Sequence, residues 1–314
     1  MLLRRLKFLG VLAGLALVVF GGGYLFAPGL LLKANDYRQA VEAHLNKKQV
    51  LAGDTNWVYY EGGTGPTVVL LHGFGADKTI WLPLAAQLTQ RFHVVIPDLP
   101  GWGESSRDPA ASYDLDVQAQ RLENFIQAIH LPGMVLVGHS MGGGIAGLYT
   151  LAHPDHVAGL VLMDSIGLKS DANAFTREVQ AGRNPFVFND RDGFHQALNL
   201  AFQHPPHVAG RFADVYVRRN EQNRAFIDKT FKELIDPSQA LALQHRLGDF
   251  VTPVMGLWCR NDKIVDYSAL ESLRNGLTHA HSISATTIND CGHMPMLEKT
   301  REVGQILSNF AMSR

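Results

Sequence analysis

Gly138-His139-Ser140-Met141-Gly142 sets a serine between two glycines, each two positions away. An apolar, β-branched run at 134–137 leads into it and a helical pattern opens at Gly142. A serine on a sharp strand-to-helix turn has a strained backbone and an exposed hydroxyl, and flanking glycines relieve the crowding. This is the setting of a nucleophile. A hydroxyl attacks an acyl carbon only if a base takes its proton, and an acid must hold that base in one tautomer and orientation.

For a nucleophile on such a turn, the acid and then the base follow in chain order. Asn289-Asp290-Cys291-Gly292-His293 closes the last apolar run of the chain. Among 14 histidines, only His293 combines a glycine loop with that strand end, so it is the candidate base. Asp262, in Arg260-Asn261-Asp262-Lys263, ends the preceding strand and is the candidate acid. Asp164, just after the run 157–163, is its rival. Asp266 and Asp290 read more simply as capping or turn residues.

Charge that develops on a substrate carbonyl needs preformed donors. The Met141 amide supplies one, and His72-Gly73-Phe74-Gly75, after the first strong strand, supplies the Phe74 amide as the second. Gly73, the Phe74 ring, Trp81 and His139 are the candidate substrate contacts. Asp98, in the Pro- and Gly-rich turn 97–106, reads as structural. No G-x-G-x-x-G opens a helix after the first strand and no G-K-[ST] occurs, so no nucleotide cofactor is expected. His204 and His207 lack an H-E-x-x-H frame, and no metal is expected.

The elements that must position these groups follow from the pattern. Short apolar runs at 67–71, 93–97, 134–137, 157–163, 254–258 and 282–288 suit strands buried on both faces. Helical stretches at 81–90, 115–130, 142–153 and 267–277, with a last one from about 297, read as crossovers, which gives an α/β fold with a mostly parallel sheet. Residues 167–250 show no clear strand, and their apolar positions, such as Phe194, Leu198 and Phe202 or Ile227, Phe231 and Leu234, recur at helical spacing. They read as a helical cap, or lid, inserted between core segments 57–166 and 251–314.

Residues 8–32 are uncharged and follow Arg4, Arg5 and Lys7. That length crosses about 30 Å of hydrocarbon as a helix. The reading is a single N-terminal transmembrane helix over 1–33, with a cleaved signal peptide as its competitor. It places the catalytic domain outside the cytoplasm, in the periplasm of a two-membrane cell. Residues 34–56 read as a juxtamembrane segment, with Tyr37, Val41, His44 and Leu45 on one face of a helix over 34–50. Gly10, Gly14 and Gly21 allow a homodimer contact between such helices. With 28 Lys and Arg against 29 Asp and Glu, the 314-residue chain has a net charge of -1, which speaks against nucleic acid as a partner. Cys259 and Cys291 lie close to Asp262 and His293, and a bridge or two buried thiols are both open readings.

Together these residues resemble the α/β-hydrolase family over about residues 57–312. Within it, Leu71 to Lys78, Pro97 to Ser106, Gly138 to Gly143 and Gly292 to Glu298 resemble family V bacterial lipases and membrane-anchored bacterial phospholipases A. The resemblance implies an ester hydrolase acting on acyl lipids, with Ser140, Asp262 and His293 as triad, a helical lid and no cofactor. Carbon-carbon hydrolases of the same fold keep a serine triad and are the alternative within the family. A non-catalytic ligand- or partner-binding domain on the membrane is the alternative outside enzymes.

Overall fold

The structure is a computed structural model that describes residues 2–131 and 133–314, with side chains described at only some positions of the first helix. Helices α1 (Leu2–Phe26) and α2 (Pro28–Glu42) lead into strands β1 (Leu45–Ala52), β2 (Thr55–Gly62) and β3 (Thr67–Leu71). The chain continues through α3 (Leu82–Leu88), β4 (His93–Pro97), α4 (Leu115–Ile129), β5 (Met134–His139), α5 (Met141–Ala152) and β6 (Val157–Met163). Four helices follow: α6 (Ala174–Gln180), α7 (Arg191–Ala201), α8 (Gly210–Leu234) and α9 (Pro237–Ala240). The last elements are β7 (Val254–Cys259), α10 (Ala269–Gly276), β8 (Ile283–Ile288), α11 (Pro295–Glu298) and α12 (Thr300–Met312).

The eight strands form one sheet in the order β1-β2-β4-β3-β5-β6-β7-β8. β3 to β8 run parallel, while β1 and β2 form an antiparallel hairpin at one edge. Two apolar layers cover the sheet, one containing Leu136, Leu162 and Trp258, the other Val137, Val161 and Leu257. Alternate residues of one strand thus go to opposite faces, which is why these runs are apolar throughout rather than alternating. All parallel strands end at one edge, so the turns after β3, β5, β6, β7 and β8 converge there.

The segment 1–57 departs from the sequence reading. The stretch expected as a juxtamembrane helix divides into α2, which ends at Glu42, and strand β1, so the sheet begins at Leu45 and not near residue 57. Polar residues Asn46 to Gln49 hide β1 because it is an exposed edge strand. The buried face of this segment is Ala40 and Ala43, against α3 and α8, whereas Tyr37 and Val41 are exposed. The uncharged run also spans two helices, broken before Pro28, whose missing N–H suits a first helical turn. Among the described residues no helix is long and apolar enough to cross a membrane. The apolar side chains at 11–13 and 15–19, on which the transmembrane reading of 1–33 rests, lie outside the described residues. Near its end α1 touches the first turn of α8, where the Tyr24 and Phe212 rings meet edge to face at 5.3 Å.

Candidate active site

Ser140 sits between β5 and α5 with φ 53° and ψ −119°, a conformation unfavourable for a residue with a side chain. Its amide donates to Met163 O at 3.0 Å, which fastens the turn to the next strand. Only glycine fits beside it: a Cβ on Gly142 would stand 2.5 Å from His72 O. The turn after β3 comes equally close, since a Cβ on Gly73 would meet Ser140 Cβ at 3.0 Å. The Phe74 and Met141 amides, on either side of this approach, find no acceptor among the described residues.

His293, on the loop after β8, directs Nδ1 to Asp262 Oδ2 at 2.7 Å. Asp262 Oδ1 accepts from the amides of Ile264 and Val265 at 2.8 and 3.1 Å, so the carboxylate is fixed by three donors. Both residues are buried, as is Ser140. Asp164 is placed differently. It is fully buried with φ 43°, and its Oδ1 accepts from Cys259 N at 2.9 Å, while Oδ2 has no partner among the described residues. Burial, and then repulsion from Asp262, raise its carboxyl well above the ordinary value. The two rival acids therefore differ in aim, and His293 meets Asp262.

Two further histidines build the frame. His72 Nε2 accepts from Leu99 N at 2.9 Å, so its Nδ1–H is the atom that donates to Gly73 O at 2.8 Å. This neutral imidazole, its pKa lowered by burial, holds the Phe74 turn. Burial, with the nearby His293, also lowers His139 well below the usual range. His139 Nε2 donates to His293 O at 2.6 Å and so ties the Ser140 turn to the His293 loop. Glu298 anchors that loop from the other side: Oε1 accepts from Gly292 N at 2.7 Å, and Oε2 from Gln203 N and His204 N, beyond α7. A Cys259–Cys291 disulfide joins the loops that carry Asp262 and His293, which decides between the two readings of these cysteines.

Ser140 and His293 open onto a cavity of about 1150 Å³ between the core edge and α6–α9. Gly73, Phe74 and His139 line it as well, and Asp262 and Met141 lie just behind. Trp81 does not belong to it. Its ring is fully buried among Leu82, Leu84 and Leu88 and meets His139 edge-on from behind, so its size made it core rather than a substrate contact. Asp98 is structural as read, bound to the buried Lys78 Nζ at 2.5 Å. The sequence reading places Phe231 on the apolar face of the cap and does not single out Phe186; their rings approach Phe74 at 5.7 and 5.4 Å. The helical spacing of the 167–250 segment was the signal for Phe231; Phe186 lies in a loop and carries none.

The sequence profile of the alpha/beta hydrolase fold matches residues 66–300. The chain belongs to the α/β-hydrolase family. It is 28% identical to Lipase 3 of Moraxella sp. over 322 residues, covering 99% of this chain and 98% of that one. With a monoacylglycerol lipase of Xenopus laevis it shares 28% identity over 265 residues, 80% of this chain and 77% of the other. A solved structure described as a membrane phospholipase A and bacterial virulence factor superposes with a TM-score of 0.86 at 33% identity, covering 98% of each chain. With these lipase relatives along almost its whole length, this α/β-hydrolase is an ester hydrolase.

Proposed function

We propose that this hydrolase cleaves carboxylic esters of acyl lipids through an acyl-enzyme on Ser140. His293 Nε2 takes the hydroxyl proton as Ser140 Oγ attacks the ester carbonyl, and the Phe74 and Met141 amides hold the oxyanion. Asp262 keeps the Nδ1–H tautomer and balances the imidazolium that forms. Collapse of the tetrahedral intermediate passes that proton to the leaving alcohol. Water, deprotonated in turn by His293, then releases the fatty acid and restores Ser140.

The observation that carries this reading is a strained serine and an Asp262-bound histidine at the floor of one large, phenylalanine-lined cavity. At about 1150 Å³ it exceeds the roughly 300–1,000 Å³ of common small-molecule sites, which suits a long acyl chain. Lys33, Asp36, Asp77 and Arg219 give the same cavity a charged end. A lipid has both parts. The test is release of fatty acid from phospholipid, triacylglycerol and short p-nitrophenyl esters by the purified protein and its Ser140→Ala variant. Serine-dependent release from phospholipid or triacylglycerol is expected. Hydrolysis confined to short esters would remove the lipid from this proposal, and a Ser140→Ala variant as active as the parent would remove the mechanism.

The uncharged run 8–32 behind Arg4, Arg5 and Lys7 supports attachment to a membrane through the N-terminal segment, with the catalytic domain on the extracytoplasmic side. Deletion of residues 1–26 is expected to move the protein from the membrane fraction to the soluble one. The contact proposed between two such helices predicts a cross-linked dimer of the full chain that the deletion loses.

A further inference from the structure

At the edge of the sheet opposite Ser140, the end of α5 and the 3-10 turn Pro154–His156 bring His153 and His156 beside Glu123 of α4. Glu123 Oε2 is 3.7 Å from His153 Nε2 and 3.7 Å from His156 Nδ1, and the three atoms lie within 4.8 Å of one another. The two imidazole planes lie 10° apart with centroids at 5.3 Å. Glu123 Oε1 is satisfied by the Gln127 side-chain amide. Oε2 is not: it belongs to a side chain 6% exposed and has no hydrogen-bond partner among the described residues. A separation of 3.7 Å is too long for a hydrogen bond, and a buried carboxylate oxygen left unpaired is costly.

We propose that Glu123, His153 and His156 bind a divalent transition-metal ion, with zinc the best match. Two imidazole nitrogens and one carboxylate oxygen are ligands of that ion, and bond lengths of about 2.0–2.2 Å put tetrahedral ligand atoms about 3.4 Å apart. The two carboxylate–imidazole separations of 3.7 Å are close to this value, and the two imidazole nitrogens, within 4.8 Å of each other, close on the ion by rotation of the partly exposed rings. His153 and His156 are 30% and 43% exposed, which leaves access for the ion and room for water at its remaining position. Tyr149 Oη, 3.1 Å from His156 Nδ1 and close enough to Glu123 for that carboxylate to hold its hydroxyl proton more tightly, competes at both ligands and must turn aside when the ion binds. The site is separated from Ser140 by the length of α5, about 18 Å at 1.5 Å per residue, so the ion would touch no reacting atom. Its effect would be to clamp α4 to the α5–β6 turn and stabilise the fold by binding it in preference to the unfolded chain.

Its ligands are hard to recognise in the sequence because Glu123 comes from a different helix, and His153 and His156 are separated only by Pro154 and Asp155. The experiment uses the full chain without a polyhistidine tag, stripped with a chelator and titrated calorimetrically with zinc chloride, and in parallel with cobalt chloride by visible absorption. One equivalent of zinc is expected to bind, with cobalt bands shaped by imidazole coordination. Glu123→Gln and His156→Gln should each weaken zinc binding by about tenfold or more. Ester hydrolysis by the same variants should stay at the parent level. Absence of saturable binding, or equal affinity in the His153→Gln/His156→Gln double variant, would overturn the site. If Glu123→Gln unfolds, the half-exposed His156→Gln still decides the question.

Discussion

Below the cleft, the Asp262 carboxylate is held by two backbone amides and by His293, and a disulfide joins the two loops that carry them. Above it, the lid turns rings toward the cleft, Phe186 and Phe231 against Phe74 with Phe175 behind them, while its rim is tied to the core by bonds such as Leu115 N to Gln239 Oε1 and its outer surface carries exposed ion pairs such as Arg183–Glu178 and Arg191–Asp214. Directional bonds in a buried site specify atomic positions, whereas ring contacts tolerate rearrangement and exposed ion pairs add little in water. On the proposed function, this difference gives chemistry to the lower wall and substrate choice to the upper one.

The largest effect should follow from breaking the lower wall at its centre. Asp262→Asn keeps the shape but no longer imposes the Nδ1–H tautomer on His293, and kcat is expected to fall by roughly 10⁴. Steady-state hydrolysis of a p-nitrophenyl ester measures it. A loss that small lid substitutions could match would erase the distinction between the two walls.

Next comes the covalent tie. Cys259 and Cys291 are 32 residues apart, and closing a loop of that length constrains the unfolded chain by roughly 3–4 kcal/mol. The Cys259→Ser/Cys291→Ser variant should lose about that much stability in denaturant titrations, and its kcat should fall because the two loops become free to separate. Unchanged stability would mean that Asn261 N to Cys291 O and Arg260 N to Ile288 O, at 3.2 and 2.8 Å, already hold the loops together.

The upper wall is tested by Phe186→Ala. The substitution removes one ring from contact with Phe74, Phe175 and Phe231, so kcat/KM for long acyl esters should drop by about tenfold while short esters are little affected. An equal loss on both would place Phe186 in the support of the catalytic turn instead.

The contrast between the walls also explains what was legible in the sequence. The turn around Ser140 is local: its glycines and the neighbouring strand and helix are contiguous, and a Cβ on Gly138 would run into Gly142 O, a clash within the motif itself. Asp262 and His293 could be placed because the apolar rhythm of a buried parallel sheet marks strand ends. Strand β1 could not, as an exposed edge strand with Lys47 and Lys48 carries no such rhythm. Trp81 was misplaced because a large ring near a site reads alike whether it faces the cleft or the core. Phe186, Glu298 and Glu123 act through partners distant in sequence, and no local pattern records such pairings.

The smallest effect on turnover is expected from Asp164→Asn, and its pH dependence makes it informative. Burial and the nearby Asp262 raise the Asp164 carboxyl well above its ordinary value. The folded protein thus keeps a proton there at pH values where the unfolded chain has lost it. Its contribution to stability is full at low pH and declines as pH rises from about 4, the unfolded carboxylate value, toward the raised folded one. Asparagine matches the neutral acid in shape and cannot ionise. Relative to the parent, the variant should therefore gain stability with rising pH, by at most about 1.4 kcal/mol per pH unit. Activity should remain, since the Asp262 bond to His293 is intact. Denaturant titrations at several pH values together with ester hydrolysis give both readouts. If Asp164→Asn instead loses activity as Asp262→Asn does, the ionised form of Asp164 takes part in orienting His293, and the lower wall holds two working carboxylates rather than one.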